Sequence, residues 1–262
     1  MRPELQLPPE IYYGDDEAGK YTMNSRVQKI QAEMTERALE LLALPEHKHP
    51  ALLLDIGCGS ALSGDIITEQ GHQWVGFDIS PAMLEVAVDR DVEGDLILAD
   101  AGQGCMFRAG SFDGAISISA IQWLCNADTS TANPAARLLH FFTTLYGALT
   151  RGARAVFQFY PDTDEQIRFI MSAATRAGFG GGLVVDFPNS KKAKKYYLVL
   201  WVGGQMPVTA GREHLVQPDQ MTQQQQQLAF PPAPGDTAPP RDTESLDTPR
   251  RTRISKVPPT EQ

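Results

Sequence analysis

Asp55, Asp78 and Asp100 are the residues whose placement suggests chemistry. Each ends a short apolar run that reads as a strand, at residues 51–54, 73–77 and 95–99. Ligands of open α/β sheets bind outside the carboxyl ends of the strands, so three acids in register there would face one ligand. Singly, each Asp could be a helix cap or turn former. After Asp55 come Gly57 and Gly59 in LLLDIGCGSALSG, a strand, a tight loop and a helix start. Glycine leaves no Cβ between such a loop and a ligand, so backbone N–H groups can approach closely. The dinucleotide fingerprint G-x-G-x-x-G is incomplete, because Leu62 stands at its third glycine. A carboxylate at Asp55 would repel a pyrophosphate but suits a zwitterionic amino acid. Asp78, at the end of the second strand, is placed to accept two ribose hydroxyls.

The elements that must position these groups follow from periodicity. Residues 1–14 are proline-rich and read as a flexible arm. A helical pattern then runs from residue 15 or 16 to about 44, with Val27, Ile30, Met34, Ala38, Leu41 and Leu42 on one face. Its early part carries Tyr12, Tyr13, Lys20, Tyr21, Asn24 and Arg26, which either cover a ligand or form a solvated face. From residue 51 strands alternate with helices, the sign of a parallel sheet covered on both faces. Ser80-Pro81 supplies a hydroxyl cap followed by proline at the first helical position. Residues 111–119 read as the fourth strand, with Phe112 at its start and Trp123 in the segment after it. Trp123 is either core or a substrate-facing ring. The fifth strand, 153–159, precedes Tyr160, and two further strands (183–187 and 196–202) have no helix between them, which permits an antiparallel pair. The expected fold is therefore a seven-stranded α/β sheet.

Composition narrows the class. Of 262 residues 42% are hydrophobic, enough for a core, yet no run is long enough to span a membrane. The first ten residues have no signal-peptide apolar core. Cys58, Cys105 and Cys125 are odd in number and widely spaced, which suits free thiols in a reducing compartment and offers no metal clip. A net charge of −9 means that nucleic-acid binding would need a local basic patch. Lys191, Lys192, Lys194 and Lys195 are the one dense cluster, either a phosphate contact or a solvated loop. Residues 204–262 hold a glutamine run, many prolines and few core-type residues, and read as disordered.

D-x-G-x-G with the following acids resembles the first motifs of class I S-adenosylmethionine methyltransferases. Longer stretches narrow the resemblance: PPEIYYGDDEAGKYTMNSR, LLLDIGCG, WVGFDISPAMLEVAVDRDVEGDLILAD, SISAIQWLCNAD and VVDFPNSKKAKKYYLVL. Together they are similar to the eukaryotic small-subunit (18S) ribosomal RNA guanine-N7 methyltransferases. That resemblance implies a Rossmann-like methyltransferase domain over 15–203 with an N-terminal helical cover and S-adenosylmethionine as cofactor. It also implies small-subunit rRNA in a pre-ribosome as substrate, no metal, and a nuclear (nucleolar and nucleoplasmic) and cytoplasmic location. By motif position, Asp55, Gly57 and Gly59 would line the methionine portion, Asp78 the ribose and Asp100 the adenine amino group. Tyr21, Asn24 and Arg26 would belong to the cover. A small zinc-binding activator subunit is the implied partner. Its place would be the third strand, Leu96-Ile97-Leu98-Ala99, an edge in the family's sheet order and free of protecting charges.

Two departures stand out. Ala61 sits where the family motif has glycine, and the tail lacks the family's Lys/Arg-rich extension. Guanine N7 carries an available lone pair, so its methylation needs positioning and no general base. Trp123, Phe112 and Tyr160 are the expected substrate-positioning groups. Three alternatives remain: a small-molecule methyltransferase, a ribosome-assembly scaffold, and a dinucleotide oxidoreductase that Leu62 disfavours.

Overall fold

A computed structural model describes residues 7–126, 133–190 and 192–203. Among the described residues seven strands form one sheet: β1 (Leu52–Ile56), β2 (Gln73–Asp78), β3 (Asp95–Leu98), β4 (Phe112–Ile118), β5 (Leu149–Phe159), β6 (Gly180–Asp186) and β7 (Lys195–Trp201). Their order is β3-β2-β1-β4-β5-β7-β6. The first five strands are mutually parallel, and β7 runs antiparallel between β5 and β6. This is the seven-stranded α/β sheet anticipated above, with β3 at one edge.

Alternation along the strands builds two cores, because successive side chains leave opposite faces. Leu54, Ala115 and Phe157 face one helical layer, with Leu138, Phe142 and Leu145 of α6 (Pro134–Ala148) and Ile170 of α7 (Asp164–Arg176). Their neighbours Leu53, Ile116 and Val156 face the other, with Met34, Ala38 and Leu42 of α3 (Ser25–Leu42) and Ile67 of α4 (Leu62–Glu69). The helix starts follow local signals. Ser80 Oγ accepts from Met83 N at 3.2 Å to open α5 (Pro81–Asp89), and Asn133 Oδ1 accepts from Ala136 N at 3.1 Å to open α6. No helix among the described residues is long and apolar enough to cross a membrane.

Two N-terminal expectations need correction. The single helical pattern from residue 15 to 44 is two helices, α2 (Asp15–Met23) and α3, parted at Asn24. Asn24 takes an extended backbone and its Oδ1 accepts from Arg26 N and Val27 N, so the side chain caps the second helix. Within the supposed flexible arm, Pro9–Tyr12 forms α1, and Ser80 Oγ donates to the Tyr13 carbonyl at 2.8 Å. Aromatic contacts hold the segment in place: the Tyr13 ring lies 5.6 Å from Tyr21 and 6.0 Å from Trp123. The tail expected to be disordered, 204–262, lies outside the described residues.

Candidate active site

A cavity of about 550 Å³ opens at the carboxyl ends of β1, β2, β3 and β4, and the N-terminal segment forms its outer wall. Its floor is the loop after β1. Gly57 has φ +69°, and a Cβ there would lie 2.4 Å from the Cβ of Ala120. Gly59 has φ +55°, and a Cβ there would meet Met83 Cε at 2.8 Å. Both favour glycine for conformation; Gly57 needs it for space as well, whereas the Met83 terminus beside Gly59 could swing aside. Ala61 also adopts a left-handed conformation, φ +63° and ψ 32°, where an L side chain is disfavoured. The missing family glycine is thus absent at a position whose backbone suits glycine.

Asp78 and Asp100 both line the cavity. Asp78 accepts from the Gly59 amide at 2.9 Å and the Ser80 amide at 2.8 Å. Burial raises its carboxyl above the ordinary range, and these backbone donors oppose the rise. The acid thereby locks the glycine loop and keeps free lone pairs for a ligand's hydroxyls. Asp100 accepts from Gly102 N at 2.7 Å and from an Arg137 guanidinium nitrogen at 2.9 Å.

Asp55 is placed differently. It is fully buried and is not among the cavity-lining residues. Its Oδ2 accepts from Ser63 Oγ at 2.5 Å, while Oδ1 is buried without a hydrogen-bond partner among the described residues. Burial pushes the carboxyl up to about 7, with Ser63 opposing and Asp78 adding to the rise. A buried, half-satisfied carboxylate beneath a backbone cradle suits a cationic ligand group above it.

The remaining expected residues divide. Trp123, in the 3-10 turn Ile121–Cys125 after β4, lines the cavity and packs against Tyr12 and Tyr13. Tyr21 lines it too; its hydroxyl accepts from Gln31 at 2.6 Å, and burial pushes its pKa up to about 12. Asn24 and Arg26 are exposed and do not line it, because Asn24 is spent on the helix cap. Phe112 does not reach the cavity either. It is the first residue of β4, at the amino end of the sheet, where it is buried edge-on to Phe107 at 4.8 Å. Tyr160 follows β5 but is absent from the lining; its hydroxyl donates to Met34 Sδ and accepts from Lys195 Nζ at 2.8 Å. Lys191 lies outside the described residues. Lys192 is exposed, while Lys194 and Lys195 are half-buried against the rings of Tyr196 and Tyr160.

Several lining residues had no part in the sequence expectation, among them Glu10, Gln31, Ser119 and Arg137. Glu10 stands in the quoted PPEIYY stretch, so a signal existed for it. Arg137 reaches Asp100 across 37 positions from α6, with no local signature.

The sequence matches a family described as "Methyltransferase domain" over residues 54–145. The chain is 60% identical over 222 residues to a Mus musculus protein named 18S rRNA (guanine-N(7))-methyltransferase, covering 85% of this chain and 79% of that one. It belongs to the 18S rRNA (guanine-N7)-methyltransferase family. A Saccharomyces cerevisiae member, named 18S rRNA (guanine(1575)-N(7))-methyltransferase, is 61% identical over 203 residues, or 77% of this chain and 73% of its own. Among solved structures, a Haloferax volcanii methyltransferase in complex with the Trm112 methyltransferase activator aligns with TM-score 0.51 and 15% identity. It covers 72% of this chain and 98% of its own, a likeness of fold. The family's cofactor, S-adenosylmethionine, fits the residues present. The Cβ-free cradle at Gly57 and Gly59, the orphaned Asp55 Oδ1 and the acceptor oxygens of Asp78 match a ligand with a cationic amino-acid end and a ribose.

Proposed function

We propose that this chain holds S-adenosylmethionine in the cavity and methylates N7 of a guanine in small-subunit rRNA during ribosome biogenesis. The carrying observation is family membership at 60% identity together with an intact cavity bearing two of the three strand-end acids on its lining and the third beneath. The cofactor supplies an electrophilic methyl group on a sulfonium. Asp78 would hold the ribose hydroxyls, Asp100 would face the adenine amino group, and Asp55 would balance positive charge from below. N7 attacks with its own lone pair, so the protein's task is orientation and the exclusion of water. Tyr13, Tyr21 and Trp123 wall the cavity with rings that do both.

RNA contact falls to the turn between β6 and β7. Asp186 pairs with Lys195 and Phe159 with Tyr196, so this turn lies at the same edge as the carboxyl end of β5. Lys192 and Lys194 there would meet phosphates, and Lys191 belongs to the same proposal. The proposed protein partner is a small zinc-binding activator subunit that adds a strand to β3. That edge strand offers open backbone groups, and its Leu98 is 57% exposed. Action on pre-ribosomes places the protein in the nucleus and the cytoplasm under the same proposal.

Titration calorimetry of S-adenosylmethionine into the protein, with and without the activator, tests the cofactor site. Binding in at least one state is expected; no heat in either rejects it. Soluble, monodisperse, active protein without any partner would contradict the activator proposal.

A further inference from the structure

We propose that Glu10, Tyr13 and Trp123 form the subsite that recognises the target guanine, with the Glu10 carboxylate reading the base's N1–H and N2–H edge. The inference rests on the guanine-N7 reading above. Among the described residues three carboxylates line the cavity: Glu10, Asp78 and Asp100. Asp78 is engaged by the Gly59 and Ser80 amides, and Asp100 by Gly102 and Arg137. Glu10 is exposed and makes no hydrogen bond or ion pair among the described residues. Nothing among the described residues uses it, yet it lines the cavity. The Ser80 bond to the Tyr13 carbonyl anchors the segment at the residue that caps α1, three positions after Glu10.

Base chemistry selects this group. N7 belongs to the five-membered ring, so turning N7 toward the glycine-loop half of the cavity turns the N1/N2 edge toward the opposite wall. Guanine presents two donors on that edge, N1–H and an N2 hydrogen. A carboxylate is acceptor-only, with two oxygens to meet them. Adenine presents an acceptor at N1 and no N2 amino group, so Glu10 would reject it. A base taken out of its helix is held by aromatic faces. The Tyr13 and Trp123 rings, 6.0 Å apart at 61°, line the same cavity as Glu10.

The test uses the full chain with its activator and small-subunit rRNA, after N7-specific strand cleavage has located the methylated guanine. An RNA oligonucleotide carrying that guanine, or inosine in its place to delete the N2 amino group, is then assayed for equilibrium binding and for methyl transfer. Inosine should weaken binding to wild type roughly 10-fold, and Glu10→Gln should lower kcat/KM on guanine roughly 10- to 100-fold. The inosine penalty should vanish in Glu10→Gln, and its S-adenosylmethionine titration should match wild type. Tyr13→Phe should keep activity, whereas Tyr13→Ala should lose it on both RNAs. An unchanged Glu10→Gln, or an inosine penalty equal in both proteins, overturns the subsite while leaving the guanine-N7 reading intact. A wild type that methylates no RNA overturns that reading and the subsite with it.

Discussion

Gly57→Ala and Ala120→Gly form a pair whose coupling can be worked from the geometry. Gly57 has φ +69°, where an L residue costs about 1–2 kcal/mol; the stiffer unfolded chain returns about 0.4–1 kcal/mol. The backbone share is therefore roughly 0.5–1 kcal/mol. The new Cβ would stand 2.4 Å from Ala120 Cβ, far inside ordinary contact, so neighbouring backbone must shift. Such overpacking adds about 1–3 kcal/mol. Removing the Ala120 methyl eliminates that contact, because the next atom is Ala120 Cα at 3.9 Å. Gly57→Ala should thus cost about 1.5–4 kcal/mol alone and about 1 kcal/mol or less in the Ala120→Gly background. Urea midpoints for the four proteins, at unchanged slope, measure the coupling. Effects that add to within about 0.5 kcal/mol would refute the claim that the loop after β1 is packed against the turn after β4.

Four further outcomes follow from the site. Ala61→Gly should leave stability within about 1 kcal/mol: relief of about 1–2 kcal/mol at φ +63° is offset by glycine entropy and by one buried methyl, together about 1–2 kcal/mol. A melting curve showing a loss above about 2 kcal/mol would contradict this balance. Asp78→Ala should weaken S-adenosylmethionine binding roughly 100-fold in calorimetry, since it removes the proposed ribose acceptors and frees the Gly59 amide. Asp55 titrates near 7 in the folded, cofactor-free protein against an ordinary 3.8, so the folded state keeps a proton that the unfolded chain has lost. Its stabilising share is full below about pH 4 and is lost as pH rises through about 7. Urea midpoints of wild type should fall across that window relative to Asp55→Asn, and parallel curves would contradict the buried acid. Leu98→Lys should abolish co-purification with the proposed zinc-binding subunit while leaving stability within about 0.5 kcal/mol, because Leu98 is 57% exposed on an edge strand.

The strand-end acids were legible because each sits at a local junction with its own signature, an apolar run followed by a glycine loop or a capped helix. The same locality exposed Ser80-Pro81 and the antiparallel β6–β7 pair. Asn24 carried a readable cap signal, but apolar periodicity ran unbroken past it and suggested one helix. Strand direction alone could have excluded Phe112, since the first residue of a parallel strand lies at the edge opposite the ligand. Asp55 is expected on the cavity lining from its place at the end of β1, yet it lies buried off that lining and is hydrogen-bonded to Ser63, eight positions on in α4. Arg137 beside Asp100 is a tertiary meeting of α6 with the end of β3, and no window of sequence contains both.

Methyl transfer to small-subunit rRNA is the direct test of the whole account. The protein with the proposed activator, labelled S-adenosylmethionine and pre-ribosomal particles should yield one 7-methylguanine, mapped by N7-specific strand cleavage and sharply reduced with Asp78→Ala at low cofactor. Label appearing on a small metabolite instead, or on RNA at an atom other than guanine N7, would contradict it.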